Sequence, residues 1–125
     1  MANPQADCPI LICEDRKKGY TALVHCGAIY IDRRLPQDTI KTLFDCCNSN
    51  IDDIYVYVGS CIKKESYIYD CYPKWAKSND VWNKFITKEK DNYRIDLVGA
   101  IEKQLKDIDI THIEISPINT ATDPN

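Results

Sequence analysis

The sequence predicts an α/β protein with a mixed β-sheet and flanking helices, on two observations. Short apolar or β-branched runs, typical of strands, occur at residues 9–13, 20–24, 54–58 and 110–115. Apolar residues at helical spacing fill two longer stretches, residues 36–47 and 93–106. With the shorter elements between them, the order is β-β-α-β-β-α-α-β, which favours a mixed sheet covered by helices. A length of 125 residues fits a single domain.

Two strands joined by a polar turn begin the chain. Residues 9–13 are continuously apolar, the pattern of a strand buried on both faces, and residues 20–24 form a second run. A run of charged residues closed by Gly19 separates them, which indicates a tight turn. If the strands pair antiparallel, Cys8 before the first and His25 after the second become neighbours. A thiol beside an imidazole is either a nucleophile with its base or two ligands of a metal ion.

A helix and a strand occupy the middle of the chain. Pro36 and Asp38 suit the first turn of a helix that continues to Cys47. Residues 54–58 are β-branched and aromatic, which predicts a strand. Gly59, Ser60 and Cys61 follow this strand directly, where α/β folds bind ligands and where glycine permits a close backbone approach. An ordinary turn with a buried cysteine is the alternative interpretation.

The second half of the chain contains shorter elements. Residues 66–72 indicate a strand or strand–turn, and Asn79-Asp80 indicates the cap of a short helix from Val81 to about Thr87. Tyr93–Lys106 has the apolar stripe of an amphipathic helix. Residues 110–115 alternate between apolar and polar, as in a strand with one solvated face. Residues 119–125 are interpreted as a tail.

Tyrosines are concentrated on two of the predicted strands. Tyr55 and Tyr57 share one strand face, and Tyr67 and Tyr69 share another. An aromatic face of this kind either stacks on a ring such as a purine or is buried in the core or in a subunit interface.

Composition excludes several classes of partner. No apolar run approaches the ~18 residues of a membrane span, so no membrane partner is expected. The net charge is −3 and lysines are interleaved with acidic residues, which argues against nucleic acid. The seven cysteines are an odd number, and several lie inside apolar or helical runs, namely Cys13, Cys26, Cys46 and Cys47. Buried thiols in a reducing compartment explain this best, so a cytoplasmic location is expected.

Several segments, taken in order, resemble one protein family. Residues 6–10 (ADCPI) and 24–27 (VHCG) are similar to paired segments of the YfiH-type family, whose members are variously labelled laccase-domain protein, polyphenol oxidase or purine nucleoside phosphorylase. Residues 59–67 (GSCIKKESY) are similar to the family's G-P-C-I…E-S-Y segment. Asp96-Leu97 with Gln104-Leu105 matches a helix of the family, and residues 116–120 (SPINT) fall where it has a Cys-Thr pair.

The resemblance implies a part of the YfiH-type α/β/β/α fold, which is similar to that of CheD-type Cys–His hydrolases. It places Cys8 and His25 at two positions that hold a zinc ion in the family. The family's first zinc-binding His lies in an N-terminal segment without a counterpart here, so weak or absent zinc is expected in the monomer. His112, the remaining histidine, matches no family ligand. The surface that the missing segment would cover is expected to form a homo-oligomer, most simply a dimer.

Two more departures from the family pattern concern ligand binding. The family reads H-A-G-W-R-G where this chain has His25-Cys26-Gly27-Ala28-Ile29-Tyr30, so the Trp and Arg are absent. Arg33 or Arg34 would be the substitute guanidinium for a phosphate or ribose, and an exposed turn is the alternative. Asn119 replaces a late Cys. The candidate ligand-binding residues are Gly27, Arg33, Arg34, Gly59, Ser60, Cys61 and Asn119.

Three functions remain open at this stage, so the sequence leaves the question of an enzyme undecided. The favoured one is binding of a purine nucleoside or nucleotide without turnover, for buffering, sensing or sequestration. The second, implied by the resemblance, is a zinc-assisted purine nucleoside phosphorylase or adenosine deaminase. The third is a hydrolase or deamidase with Cys8 as nucleophile and His25 as base.

Overall fold

A four-stranded mixed sheet is the frame of the structure, a computed structural model that describes residues 7–122. In chain order the elements are β1 (Ile10–Asp15), β2 (Tyr20–His25), α1 (Ala28–Asp32), α2 (Leu35–Cys47), β3 (Ile54–Val58), β4 (Ile68–Tyr69), α3 (Asn79–Trp82), β5 (Ile86–Glu89), β6 (Asn92–Ile95), α4 (Leu97–Lys106) and β7 (His112–Ile115), with a 3₁₀ turn at Ile51–Asp53. The sheet order is β2-β1-β3-β7. β1 is antiparallel to both β2 and β3, whereas β7 is parallel to β3. The predicted mixed sheet with flanking helices is therefore confirmed.

The predicted hairpin at the start of the chain is present. Oδ1 of Asp15 accepts hydrogen bonds from the backbone N–H groups of Lys17 and Lys18, at 3.0 and 2.9 Å. Gly19, at φ +81°, closes the turn in the left-handed region that glycine adopts readily. The ammonium of Lys18 also donates to the carbonyl of Cys47 at 3.2 Å, which ties the turn to the C-terminal end of α2.

A second sheet, with the order β4-β6-β5, corrects two predictions made from the sequence. The helix expected at Val81–Thr87 is the short α3 followed by β5, and the helix expected from Tyr93 begins only at Leu97. Asp96 sets that boundary because its carboxylate caps α4 by accepting from the N–H of Gly99 at 2.9 Å. The residues just before it pair with β5 and β4 instead. Apolar spacing over so short a window does not distinguish a strand from the first turn of a helix.

Smaller differences concern lengths and exposure. The strand expected at residues 66–72 is reduced to β4, and the helix α1 was not predicted. Cys13 and Cys26 are buried as expected, whereas Cys46 is exposed on α2 and Cys47 is only partly buried. None of the seven cysteines forms a disulfide. Within residues 7–122, no helix has the length and hydropathy needed to cross a bilayer.

The core lies between the inner face of the larger sheet and the helices α2 and α4. Leu11, Cys13, Val56 and Val58 point inward and are almost completely buried. The other sheet face, here called the outer face, includes Ile10, Ile12, Leu23, Tyr55, Tyr57, His25, His112, Glu14 and Glu114, which the strand registers place side by side. Leu23 is 71% exposed, so the outer face is apolar in part and uncovered by the described residues.

One buried carboxylate connects α1 to α3. Asp32 ends α1, and its Oδ1 accepts from the backbone N–H groups of Lys77 and Ser78 and from the indole Nε1–H of Trp82, at 2.8, 2.9 and 2.9 Å. The hydroxyl of Ser78 donates in turn to the carbonyl of Asp32 at 3.0 Å. Charged acceptors make stronger hydrogen bonds than neutral ones, and buried donors left without a partner are costly. Asp32 therefore fixes residues 77–82 against the larger sheet and its helices.

Replacing Asp32 tests this role. Asp32→Ala leaves three N–H groups without their acceptor, so we expect the free energy of unfolding in urea to fall by about 3 kcal/mol. Asp32→Asn keeps an acceptor oxygen and should lose less. Asp38→Ala, at an exposed position in the first turn of α2, is the control and should cost less than about 1 kcal/mol. A loss below about 1 kcal/mol for Asp32→Ala would contradict the role.

Candidate functional site

Cys8 and His25 both lie against Gly27 at one end of the larger sheet. The register pairs Ile10 with His25, and the N–H of Cys26 donates to the carbonyl of Pro9 at 2.8 Å. A Cβ atom placed on Gly27 would be 3.4 Å from Sγ of Cys8 and 3.8 Å from Cε1 of His25. The antiparallel hairpin thus brings together the two side chains, as its topology implies.

The two side chains nevertheless face different surroundings. His25 is exposed on the outer face, and its ring meets that of Tyr30 edge-on with centroids 6.4 Å apart. Cys8 is partly buried and lines a cavity that His25 does not line. The cavity, rather than the Cys8–His25 pair, is therefore the enclosed part of the site.

The cavity at Cys8 has a volume of about 230 Å³. Its walls come from segments far apart in the sequence, and the lining residues are Asp7, Cys8, Ala28, Ile62, Tyr67, Tyr69 and Leu97. The rings of Tyr67 and Tyr69 meet edge to face with centroids 5.3 Å apart, and their hydroxyl oxygens are 3.1 Å apart. The sequence pattern predicted that these two tyrosines share an aromatic face. The remaining lining residues were not predicted, since only the fold brings them together.

Burial raises the pKa values of two polar side chains in the cavity wall, Cys8 and Tyr67. Desolvation, with a smaller contribution from the charge of Asp7, raises the pKa of the Cys8 thiol. Desolvation also raises the pKa of Tyr67, and its hydrogen bond to Tyr69 acts in the same direction. At neutral pH the cavity wall therefore presents the thiol of Cys8 and the phenol of Tyr67 in their protonated forms.

Asp7 anchors the segment that carries Cys8. Its carbonyl accepts from the N–H of Ile62 at 2.9 Å, and its Oδ1 accepts from the hydroxyl of Thr120 at 2.7 Å. Thr120 belongs to the segment interpreted as a tail, of which residues 123–125 lie outside the described part of the chain. The contact joins the start and the end of the described chain at one wall of the cavity.

Four of the predicted ligand-binding residues build the loop behind this wall. The N–H of Gly59 donates to the carbonyl of Ile10 at 2.8 Å, and a Cβ on Gly59 would lie only 3.3 Å from that oxygen. Ser60 and Ser116 share a hydrogen bond of 3.0 Å. Cys61 is buried, which raises the pKa of its thiol. Its backbone forms an isolated parallel β-bridge with that of Asn119. None of these residues is among those that line the cavity.

Asn119 holds the same loop through its side chain. Its Oδ1 accepts from the N–H of Lys63 at 3.2 Å, and its Nδ2 donates to the hydroxyl of Ser66 at 3.0 Å. The amide therefore fixes the stretch that leads to Tyr67. Asn119 therefore makes its hydrogen bonds to neighbouring residues of the chain and does not line the cavity.

Arg33 and Arg34 lie at the opposite end of α1 from Gly27. Arg33 is exposed, and Arg34 adopts a left-handed backbone conformation with its Nη2 3.8 Å from Asp80. Neither arginine lines the cavity. The structure thus does not bring together these two residues and Cys8.

The described donors do not form a complete metal site. In residues 7–122 no three His, Cys, Asp or Glu side chains converge on one point, so Cys8 and His25 remain a pair. His112 is at the far end of the sheet, opposite Tyr55, and its ring stacks on that tyrosine with centroids 4.1 Å apart. Zinc sites in proteins use three or four protein ligands, which this donor set does not supply.

Comparison with solved structures shows the same fold in larger proteins. The YfiH protein of Bacillus licheniformis matches with a TM-score of 0.78 and 19% identity, over 95% of this chain and 47% of that one. The YlmD protein of Geobacillus stearothermophilus matches with a TM-score of 0.82 and 20% identity, over 94% of this chain and 46% of that one. The chain therefore spans about half the length of these proteins.

A family model assigns the chain more directly. No curated protein matches the sequence. The model described as "Multi-copper polyphenol oxidoreductase laccase" matches residues 1–125, which is the whole sequence. The fold, the order of the motifs and this match agree, so the chain belongs to the laccase-like YfiH family.

Proposed function

We propose that this protein binds a purine nucleoside through the cavity at Cys8, with the base inside the cavity. The observation that supports this most is the pair of tyrosines in its wall, Tyr67 and Tyr69, which line it together with the apolar side chains of Ile62 and Leu97. Ligand sites are typically apolar and aromatic with a few placed polar groups, and this cavity has that composition. The absence of any disulfide fits a reducing cytoplasm as the place of action.

The size of the cavity limits which part of the ligand it encloses. About 230 Å³ is below the roughly 300–1,000 Å³ of cavities that enclose drug-sized ligands. A purine base is therefore a better match than a whole nucleotide. The sugar would lie at the mouth, and the distant Arg33 and Arg34 would make no contact with a phosphate.

The geometry of the tyrosines suits a planar ring. Their rings are inclined at 72° to each other, so a flat ligand meets the face of one and the edge of the other. Both arrangements are favourable for aromatic pairs. Ala28, the smallest side chain in the wall, leaves the space that such a ring needs.

Zinc-assisted phosphorolysis or deamination is less well supported than binding. Cys8 and His25 supply only two donors beside Gly27, and a catalytic zinc needs a third protein ligand and an open position. His112 is too far along the sheet to serve within the same chain. Binding requires nothing beyond the cavity itself.

A Cys–His hydrolase is also less well supported. Such enzymes activate the cysteine by lowering its pKa, whereas burial and Asp7 raise the pKa of Cys8. His25 is exposed on the outer face and is not a wall of the cavity.

Ligand binding is the first test. Inosine at ten times its Kd should stabilise the protein by about 1.4 kcal/mol and raise Tm by about 4 °C, because it binds the folded state only. Ala28→Leu fills the cavity and should weaken binding at least tenfold by calorimetry. Ala121→Leu, at an exposed position, is the matched control and should bind normally. Absence of a shift with every purine nucleoside would overturn the proposal.

Thiol reactivity distinguishes binding from hydrolase chemistry. The alkylation rate follows the thiolate fraction, so a raised pKa means that Cys8 reacts more slowly at pH 8 than the exposed Cys46 and Cys71. Cys13 and Cys26, whose pKa values burial raises to about 12, should react last. Peptide mapping after timed iodoacetamide treatment measures the order. Preferential labelling of Cys8 would support the hydrolase instead.

Self-association is the remaining proposal, with the outer face as the contact. Leu23, Ile10 and Tyr57 are exposed there, and contiguous apolar patches usually mark interfaces. We expect a species of twice 14.4 kDa by sedimentation, and Leu23→Glu should return it to the monomer. Ile68→Glu, at another exposed apolar position but on β4, should leave the dimer intact. A wild-type protein that stays monomeric at micromolar concentration would contradict this proposal.

A further inference from the structure

We infer that β2 is an interaction edge that pairs antiparallel with β2 of a second copy of this chain. Two sheets of four strands then join into one sheet of eight about a twofold axis. The inference rests on the proposed self-association, because it narrows the contact to the edge of the outer face that carries Leu23.

The hydrogen bonds between β1 and β2 show which way the backbone of β2 points. The N–H of Cys26 donates to the carbonyl of Pro9 at 2.8 Å, in line with the antiparallel register of the two strands. Residues of an antiparallel strand alternate between pairs that exchange hydrogen bonds and pairs that do not, so the residues of even number face β1. The N–H and C=O groups of Thr21, Leu23 and His25 therefore point away from the sheet.

These outward groups have no partner in the described part of the chain. β2 is the first strand in the order β2-β1-β3-β7, so nothing in residues 7–122 pairs with its other side. No hydrogen bond among those residues involves the backbone of Thr21, Leu23 or His25. A row of unpaired backbone groups is a template for another strand. Three donors and three acceptors are thus available to a partner.

β2 also lacks the features that protect an edge against pairing. Protected edges are short or carry charges or proline. β7 has four residues including Glu114 and is followed by Pro117, and β4 has only two residues. β5 includes Lys88 and Glu89. β2 has six residues, none of which is Asp, Glu, Lys, Arg or Pro, so it is the edge most open to a second strand.

The strand is self-complementary when two copies pair about Leu23. With Leu23 opposite Leu23 of the partner subunit, Thr21 is opposite His25 of the partner subunit. All of the outward-pointing residues then form hydrogen-bonded pairs, each of which exchanges two N–H···O bonds. Leu23 is 71% exposed in one copy, and the pairing covers it with its counterpart on the outer face. The most exposed apolar side chain of the sheet is thereby buried.

Charge complementarity favours a second copy as the occupant of this edge. Glu14 is opposite Thr21 on the outer face, so the pairing sets Glu14, Thr21 and His25 of the partner subunit in one row. The Cα atoms at the two ends of this row are about 10 Å apart, and only the small threonine side chain lies between them. Oε1 of Glu14 is 3.3 Å from Arg16, which leaves its second oxygen for the imidazole. The twofold axis makes the contact twice.

A proline substitution tests the edge without changing the outer face at Leu23. Thr21→Pro removes one outward N–H and places a ring in the path of the second strand, whereas the ladder with β1 keeps its bonds. We expect the variant to sediment as a 14.4 kDa species under conditions where the wild type is a dimer. Thr111→Pro, at the start of the opposite edge strand and likewise without a backbone N–H bond to the described residues, is the matched control and should remain dimeric.

Disulfide trapping tests the register and remains informative if Thr21→Pro fails to fold. The background Cys46→Ser/Cys71→Ser removes the two exposed thiols. In it, Leu23→Cys places two thiols opposite each other, with Cα atoms about 5.5 Å apart, which a disulfide spans. Diamide should therefore convert most of this variant to a dimer on a non-reducing gel. Thr21→Cys is the control, since its two copies are about 14 Å apart along the strands and should stay monomeric on the gel.

The outcomes separate the edge from the self-association on which it rests. A wild type that stays monomeric overturns both. A folded Thr21→Pro variant that remains a dimer, or equal trapping of Leu23→Cys and Thr21→Cys, overturns the edge alone. Tyr57→Glu, two strands away from the axis on β3, should keep the dimer. Its loss in that variant would show a contact across the whole outer face and would also overturn the edge.

Discussion

The buried carboxylate of Asp32 is the interaction on which the site depends. It collects three N–H donors from residues 77–82, and the indole of Trp82 is one of them. Trp82 supports Trp75, and Trp75 donates to Tyr69 in the wall of the cavity. The hydrogen bonds of Asp32, at the end of α1, thus fix an aromatic surface that is not part of the larger sheet. The chemistry of the cavity and the stability of the fold are for this reason parts of the same network.

The cavity is formed by loops and by the ends of secondary-structure elements. Side-chain hydrogen bonds and a backbone contact hold these segments together. Asp7 and Thr120 join the two ends of the described chain, and Asn119 holds the segment that leads to Tyr67. The backbone contact of Gly59 with Ile10 brings that segment close to the start of β1. Sites of this kind are common at strand ends in α/β folds, where rigid elements carry short connections.

The parts of the fold that depend on local sequence patterns were predictable from the sequence. The candidate site was only partly predictable. The first hairpin follows from an apolar run, a charged turn and Gly19, and it brings Cys8 close to His25 without further information. The second sheet was missed because Ile95 continues the helical spacing of Val98 and Ile101, and only the cap at Asp96 places it before the helix. The distance of Arg33 and Arg34 from the cavity depends on α1, a helix too short to give a periodic signal. The wall residues Ala28, Ile62 and Leu97 share no motif, since tertiary packing alone unites them.

The aromatic cluster has a spectroscopic consequence. The chain contains two tryptophans, and both belong to this cluster with ring centroids 5.1 Å apart. All of the indole fluorescence therefore originates from one place, next to the tyrosines of the cavity and to Asp32. Emission from this protein reports on the small sheet and the cavity wall rather than on the molecule as a whole. Comparison with far-ultraviolet circular dichroism, which is sensitive to every helix and strand, would reveal whether this region loosens before the rest of the fold.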